Sequence, residues 1–223
     1  MKHRLEHRLR QRAVFLDRDG TLVHARHYPS RPEDLQLYNG LGPALSRIQR
    51  LGFRLVVITN QSALARGFFS FDDLERMHDY LRDCLAGWGV RLDAIYYCPH
   101  HPDGIVPRLS VRCKCRKPRP GMLLRAAKDL NISLKKSWMI GDILDDVEAG
   151  NRAGCRTVLV DLGTEPPARS PLRRPTYIAR DTVHALRIIE AAGRRGETAE
   201  TAYLPPSWQL AGAAATGLDL HDD

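Results

Sequence analysis

The sequence predicts an α/β protein built on a doubly wound parallel sheet. Three observations carry this. Short, wholly apolar runs recur along the chain, as strands buried on both faces require. Amphipathic helical stretches separate them, as the crossovers of a parallel sheet demand. The first two runs end on an aspartate and a threonine, and in open sheets ligands bind beyond the carboxyl ends of the strands.

Taken in order, residues 13–17 (AVFLD) and 55–59 (LVVIT) read as buried strands. Between them Leu41, Leu45, Ile48 and Leu51 fall at helical spacing, with Gly52 as the stop signal. The alternation continues with a helix over 71–85, a strand over 94–97, a Cys/His loop and a helix starting at Gly121. Then come a strand over 138–140, a helix over 145–153, a strand over 157–160, a short strand over 176–178 and a helix over 183–192. Pro166, Pro167, Pro171 and Pro175 mark a loop that interrupts the pattern.

Composition sets the outer bounds. With 223 residues, 43% hydrophobic and 27% charged, the chain can bury one core, which excludes a wholly disordered chain or a tiny disulfide scaffold. A basic segment over 1–12, one domain over 13–192 that includes a Cys/His loop over 98–116, and a loosely held extension over 193–223 are expected. The extension is rich in Ala, Gly and Thr and has no apolar period. No apolar run approaches the roughly 18 residues of a membrane helix, and the N-terminal MKHRLEHRLRQR lacks the apolar stretch of a secretory signal, so a cytoplasmic protein without membrane contact is expected.

The net charge of +8 invites a nucleic-acid reading, that of a zinc-stabilised binder. Half of that charge lies in the first twelve residues, where Lys2, Arg4, Arg8, Arg10 and Arg12 oppose only Glu6. Aromatic residues make up only 7% of the chain and leave few stacking platforms, so no nucleic-acid partner is expected.

The strand ends deliver Asp17 and Asp19, Thr59 and Asn60, and Gly141 and Asp142 to one rim. In DRDGTL two carboxylates stand two residues apart, so an extended backbone points both the same way, and Gly20 lets the chain turn. One acid can attack and the other can handle protons; the same residues also suit a simple turn at a strand end. A carboxylate attacking a phosphoryl group meets like-charge repulsion, which a divalent cation and the ammonium of Lys117 can offset. Asp142 offers a hard oxygen ligand suited to magnesium. Asp146, four residues on, could support that metal site or Lys117, a role for which Asp145 competes.

Cys98, His100, Cys113 and Cys115 offer three thiolates and one imidazole, the set of a closed structural zinc site, with twelve residues between the two pairs. Each pair has one intervening residue rather than the usual two to four. His101 could replace His100. The alternative is that these cysteines are small buried apolar residues, which polar, Pro-rich surroundings disfavour. Cys84 and Cys155 read as core.

DRDGTL, a strand ending at Thr59, the lysine of CRKPRPG and the GDILDD segment resemble, in order, the four motifs of the haloacid dehalogenase (HAD) superfamily of phosphotransferases. The likeness spans roughly residues 13–160. It implies a HAD-like Rossmannoid fold with Asp17 as the phosphoryl-accepting nucleophile and Asp19 as general acid, then base. Thr59 and Lys117 would hold the transferring phosphoryl group. Magnesium would sit on Asp17, Asp142 and the backbone carbonyl of Asp19. Monoester hydrolysis through an aspartyl phosphate is the implied reaction.

TNQSALARG, YYCPHHPDG and CKCRKPRPGML further resemble the D-glycero-D-manno-heptose 1,7-bisphosphate 7-phosphatases. Histidinol phosphatases, the runner-up, share the DxDGT start, TNQ, a Cys/His loop and CRKP but usually lack the SxxARG continuation and CPHHP. The family pattern favours His100 over His101 as zinc ligand. Two positions depart from it: Ala63 stands where glycine is usual, and Ile143 often where lysine is. Arg66, Arg116 and Arg119 are candidates for a second phosphate or sugar hydroxyls, because guanidinium matches phosphate oxygens in a bidentate way. Asn60, Gln61 and Ser62 are further candidate substrate contacts. Too little sequence separates Asp19 from residue 41, or Thr59 from residue 71, for a large cap domain, so loops must cover the site. The expected partner is a phosphorylated sugar substrate, and the expected state is a monomer.

Overall fold

The computed structural model describes residues 10–25 and 28–195. Six strands form one all-parallel sheet: β1 (Arg12–Leu16), β2 (Phe53–Asn60), β3 (Ala94–Cys98), β4 (Trp138–Gly141), β5 (Arg156–Val160) and β6 (Tyr177–Ala179). The strand order is β3-β2-β1-β4-β5-β6. The chain therefore winds outward from β1 to β3, returns to the other side of β1 with β4, and winds outward again. The reversal lies between β1 and β4, and there a crevice opens at the carboxyl ends.

Because successive strand residues face opposite sides, each strand feeds two cores. Val14, Leu16, Leu55, Val57, Trp138 and Ile140 pack under α1 (Leu41–Arg50), α2 (Phe71–Gly87) and α5 (Thr182–Arg195). Ala13, Phe15, Val56, Ile58 and Met139 pack under α3 (Gly121–Asp129) and α4 (Leu144–Ala153). The centres of β1, β2 and β4 are apolar because both faces are covered.

Helix ends follow local chemistry. The Ser70 hydroxyl accepts the Asp73 N–H at 3.1 Å, and Asp73 returns the favour to Ser70 N–H at 2.8 Å, a capping box that starts α2. Gly154 closes α4 at φ 83°, in the left-handed region that glycine reaches without strain.

The structure shifts several sequence boundaries. β2 starts at Phe53, ahead of the apolar run, because the charge of Arg54 is answered by Asp93 at 2.8 Å. β1 starts at Arg12, which pairs with Phe53 and lays its guanidinium on the Phe53 ring. The last helix continues past the expected stop at Ala192, through Gly193, which lies against Leu51 and Phe53. Most of the N-terminal basic segment (1–9) and most of the extension expected from 193 (196–223) lie outside the described residues. Neither junction after β1 or β2 holds a further domain among the described residues. Among these residues no helix is long and apolar enough to cross a membrane.

Candidate active site

β1, β2 and β4 end side by side, and the next residues of each meet. Leu16 pairs with Val57 on one side and with Ile140 on the other, so Asp17 emerges between the two neighbouring strand ends. Its N–H is fixed to Ile140 O at 2.9 Å. Lys117 arrives from the far side of the chain, fully buried, and its Nζ lies 2.6 Å from Asp17 Oδ1, 2.5 Å from Asp146 Oδ1 and 2.9 Å from Ile58 O. Asp17, Asp142 and Asp146 each present a carboxylate oxygen within 4.8 Å of the others.

Two glycines make this crowding possible. At Gly20, φ 86°, a Cβ would stand 2.1 Å from Asp142 Oδ2, so the Asp142 carboxylate lies directly against the peptide following Asp19. At Gly141 a Cβ would stand 2.2 Å from Asp146. The Thr21 hydroxyl donates to Asp142 Oδ1 at 3.3 Å.

Burial raises the Asp17 carboxyl to about 7, against the pull of Lys117 and with the help of Asp146 and Asp19. Asp142 is raised to about 7 by burial and by Asp17, and Asp146 to about 6 by burial. Burial works against the Lys117 ammonium, but Asp146 and Asp17 outweigh it and hold its pKa above the ordinary value. One ammonium among three buried carboxylates leaves negative charge uncompensated. That donor set of hard oxygens fits a divalent cation such as magnesium.

The residues after β2 have mixed fates. The Thr59 hydroxyl accepts the Gln61 side-chain N–H at 2.8 Å, so its own proton is free to point into the crevice. Gln61 Nε2 also reaches Asp19 Oδ2 at 3.0 Å, while its Oε1 accepts from Arg18 at 3.0 Å. Asn60, expected to touch substrate, is turned to the chain instead: its side chain accepts the Lys117 N–H at 3.1 Å and donates to Lys117 O at 3.2 Å. Ser62 is half-buried in the turn that follows.

Sequence reading missed four participants. Arg18 is fully buried and grips Asp19 with Nε and Nη2 at 3.0 to 3.2 Å. Its neighbour His78, on α2, is held neutral with its pKa down at about 3, by burial first and then by the charges of Arg18 and Arg82. Thr21 was visible in DRDGTL but had no assigned partner. His101, weighed only as a zinc ligand, belongs elsewhere: its Nδ1 accepts the Asp103 N–H at 3.1 Å, so its Nε2 carries a proton. That proton faces Arg66 Nη2 at 3.4 Å. Two donors thus confront each other, and Arg66 Nε is buried without a partner among the described residues. Arg66 and Arg116 both push the His101 pKa down, after burial.

The Cys/His loop closes as the His100 alternative requires. The Sγ atoms of Cys98, Cys113 and Cys115 lie 3.2 to 3.5 Å apart, and His100 Nδ1 is 3.6 Å from Cys98 Sγ and 3.4 Å from Cys115 Sγ. A tetrahedral zinc with bonds near 2.3 Å to sulfur would set ligand edges of about 3.7 Å. The geometry therefore fits that ion after a slight expansion. All five cysteines are free thiols, and Cys155 is buried as expected, while Cys84 is only half-buried. The loop is pinned over the β2 turn, where Ile105 and Val106 both donate to Ala65 O, at 2.8 and 3.0 Å. Arg116 Nη1 donates to His100 O at 3.4 Å, and Arg119 donates to Cys113 O, which ties Arg119 to the loop.

A HAD-hydrolase-like family model matches residues 114–185. Over 152 residues the chain is 44% identical to the D-glycero-beta-D-manno-heptose-1,7-bisphosphate 7-phosphatase of Yersinia pestis, covering 68% of this chain and 81% of that protein. The chain belongs to the HAD-like heptose bisphosphate 7-phosphatase family. A second member, the D-glycero-alpha-D-manno-heptose-1,7-bisphosphate 7-phosphatase of Photorhabdus laumondii, is 41% identical over 153 residues, or 68% of this chain and 84% of that protein. Family members thus carry names for both anomers. The crystal structure of D,D-heptose 1,7-bisphosphate phosphatase from B. bronchiseptica, complexed with magnesium and phosphate, aligns at a TM-score of 0.70 and 32% identity. It covers 80% of this chain and 97% of that one.

Proposed function

We propose that this chain is a magnesium-dependent phosphoric monoester hydrolase that removes the 7-phosphate from D-glycero-D-manno-heptose 1,7-bisphosphate through an aspartyl phosphate. The observation that carries the reading is the Lys117 ammonium 2.6 Å from the Asp17 carboxylate at the sheet's reversal point, in a chain whose relatives are named for this reaction.

Asp17 attacks phosphorus, the bond from phosphorus to the C7 oxygen breaks, and Asp19 gives that oxygen its proton. Water then attacks the aspartyl phosphate, surrenders its proton to Asp19, and frees the Asp17 carboxylate and inorganic phosphate. Lys117 and the free proton of the Thr59 hydroxyl hold the non-bridging oxygens. Magnesium, on Asp17, Asp142 and the Asp19 carbonyl, would supply the charge that offsets repulsion between carboxylate and phosphate. Asp146 sits at the start of α4, where its Oδ2 accepts the Ile143 N–H at 3.4 Å, and serves Lys117 rather than substrate.

The donor pair of Arg66 and His101, with Arg116 beside it, takes the second phosphate: an anion supplies the acceptor that these N–H groups lack. Ser62 borders the same turn. Zinc on Cys98, His100, Cys113 and Cys115 is structural, fixing the loop that carries Arg116 and Lys117. Function as a monomer is part of the same proposal. Free thiols and a phosphorylated sugar substrate suit the cytoplasm.

The test is phosphate release from the bisphosphate with magnesium, followed by phosphorus NMR, with histidinol phosphate as competitor. Heptose 1-phosphate is the expected product, and Asp17→Asn abolishes its formation. Undiminished turnover by Asp17→Asn, or preference for histidinol phosphate, would overturn the assignment.

A further inference from the structure

An arginine with no solvent exposure is rare unless it is paired, and Arg18 is paired in an unusual direction. It turns away from the crevice in which phosphate would sit. Its Nε bridges both oxygens of Asp19, at 3.2 and 3.1 Å, and its Nη2 reaches Asp19 and Gln61 Oε1. Gln61 closes the circuit, since its amide donates to Asp19 Oδ2 and to Thr59 Oγ1. The Gln61 amide orientation is fixed by this circuit, because a flipped amide would face Arg18 with a donor and leave two acceptors unserved.

The consequence concerns the angle of one carboxylate. Asp19 is partly exposed, with 27% of its side chain accessible, so without a tether its χ angles would be free to rotate toward water. We infer that Arg18 is a positioning residue, a buried fork that with Gln61 aims the Asp19 carboxyl at the leaving oxygen and locks it to the Thr59 hydroxyl that holds the phosphoryl group. This rests on the phosphatase reading above. Arg18 acts on proton delivery and leaves the attack by Asp17 alone, because its hydrogen bonds go to Asp19 and Gln61, whereas Gln61 also holds the Thr59 hydroxyl and so bears on phosphoryl binding as well.

That separation makes the role measurable. A sugar oxygen is a poor leaving group and needs the Asp19 proton as its bond to phosphorus breaks. The nitrophenolate of 4-nitrophenyl phosphate leaves without one. The value of kcat/KM reports the steps through the first irreversible one, here formation of the aspartyl phosphate.

The experiment compares wild type, Arg18→Lys and Gln61→Met on both substrates with saturating magnesium. The lysine retains the cation but not the fork; the methionine retains the volume but not the amide. Misdirecting the acid is expected to lower kcat/KM for the heptose bisphosphate by about 100-fold. For Arg18→Lys the loss for 4-nitrophenyl phosphate should be less than about fivefold, with a burst of nitrophenol as the second half-reaction slows. If both substrates lose equally, or neither loses, the positioning role is overturned while the phosphatase reading stands. If wild type releases phosphate from neither, both fail. Should Arg18→Lys not fold, Gln61→Met carries the comparison as a ratio: release of Thr59 lowers both substrates alike, and misdirection of Asp19 adds a further loss for the heptose bisphosphate alone.

Discussion

Replacing Gly141 by alanine tests whether Asp146 holds Lys117 in place. A Cβ at 141 would lie 2.2 Å from both Cβ and Oδ2 of Asp146 and 2.3 Å from its Cγ, where ordinary contact begins at 3.4 Å. The backbone at Gly141 is not in the left-handed region, so the new methyl acts by collision alone. Asp146 must retreat by about an ångström, and it is tethered to the first turn of α4 by its bond to Ile143 N–H. The 2.5 Å contact to Lys117 Nζ cannot survive that retreat. Lys117 then keeps only Asp17 and Ile58 O, and is free to swing away from the phosphoryl position. Misplacement on this scale costs about 100-fold in kcat, and overpacking costs about 1–3 kcal/mol of stability. Asp146→Asn, which removes the charge and keeps the shape, should reproduce the loss of kcat without the overpacking. Steady-state kinetics on the heptose bisphosphate with saturating magnesium, beside urea unfolding, reads both quantities. Values of kcat within about threefold of wild type for both variants would refute the claim that Asp146 positions the lysine.

Other outcomes follow from the same geometry. Asp17, Asp142 and Asp146 have folded pKa values of about 7, 7 and 6, above the unfolded value, so their contribution to stability is full below pH 4 and is lost as pH rises through 6 to 7. Magnesium competes with those protons. Its stabilisation in thermal melts should therefore be larger at pH 8 than at pH 5.5, and the reverse order would contradict the cation site. His78 runs the other way: its pKa near 3 makes it stabilising above the unfolded value of about 6.5 and progressively costly below it. Between pH 7 and 5.5 wild type should lose roughly 1 kcal/mol more than His78→Leu in urea titrations with magnesium present, and equal losses would place His78 in contact with water. Cys113→Ser should lower the zinc content measured by a colorimetric chelator and reduce kcat, because Arg116 and Lys117 follow the ligand Cys115 directly. A zinc-free protein with full kcat would remove the structural role.

What could be read from the sequence was what announces itself locally. A polar residue that closes an uninterrupted apolar run stands out, and Asp17, Thr59 and Asp142 were visible on that ground. The four residues of the Cys/His cluster were visible because their chemistry is scarce. Arg18 was not, since an arginine in a basic chain reads as a solvated charge. Its burial depends on Gln61, which is 43 positions away, and on His78 from another helix. His101 was hidden beside His100, because adjacent residues diverge in direction and only the fold decides which meets the cysteines. Asn60 was assigned to substrate because it follows Thr59, but side chains alternate along a strand, and this one faces the Lys117 backbone.

These findings converge on the way one ammonium is held. Lys117 is tethered by the Asn60 amide on its backbone, by Asp146 and Ile58 O at its tip, and by the Cys/His loop through Cys115 two residues earlier. The tethers come from three elements: the end of β2, the start of α4 and the loop after β3. A lysine side chain has four rotatable bonds, and fixing it by packing alone would be costly in entropy. Buried polar anchors at both ends remove that freedom before substrate arrives, so the ordering is completed during folding and binding energy is left for the transition state. It follows that damage at any one anchor should appear first in kcat rather than KM, and that two anchors removed together should cost less than the sum of their separate effects, since both restrain the same atom.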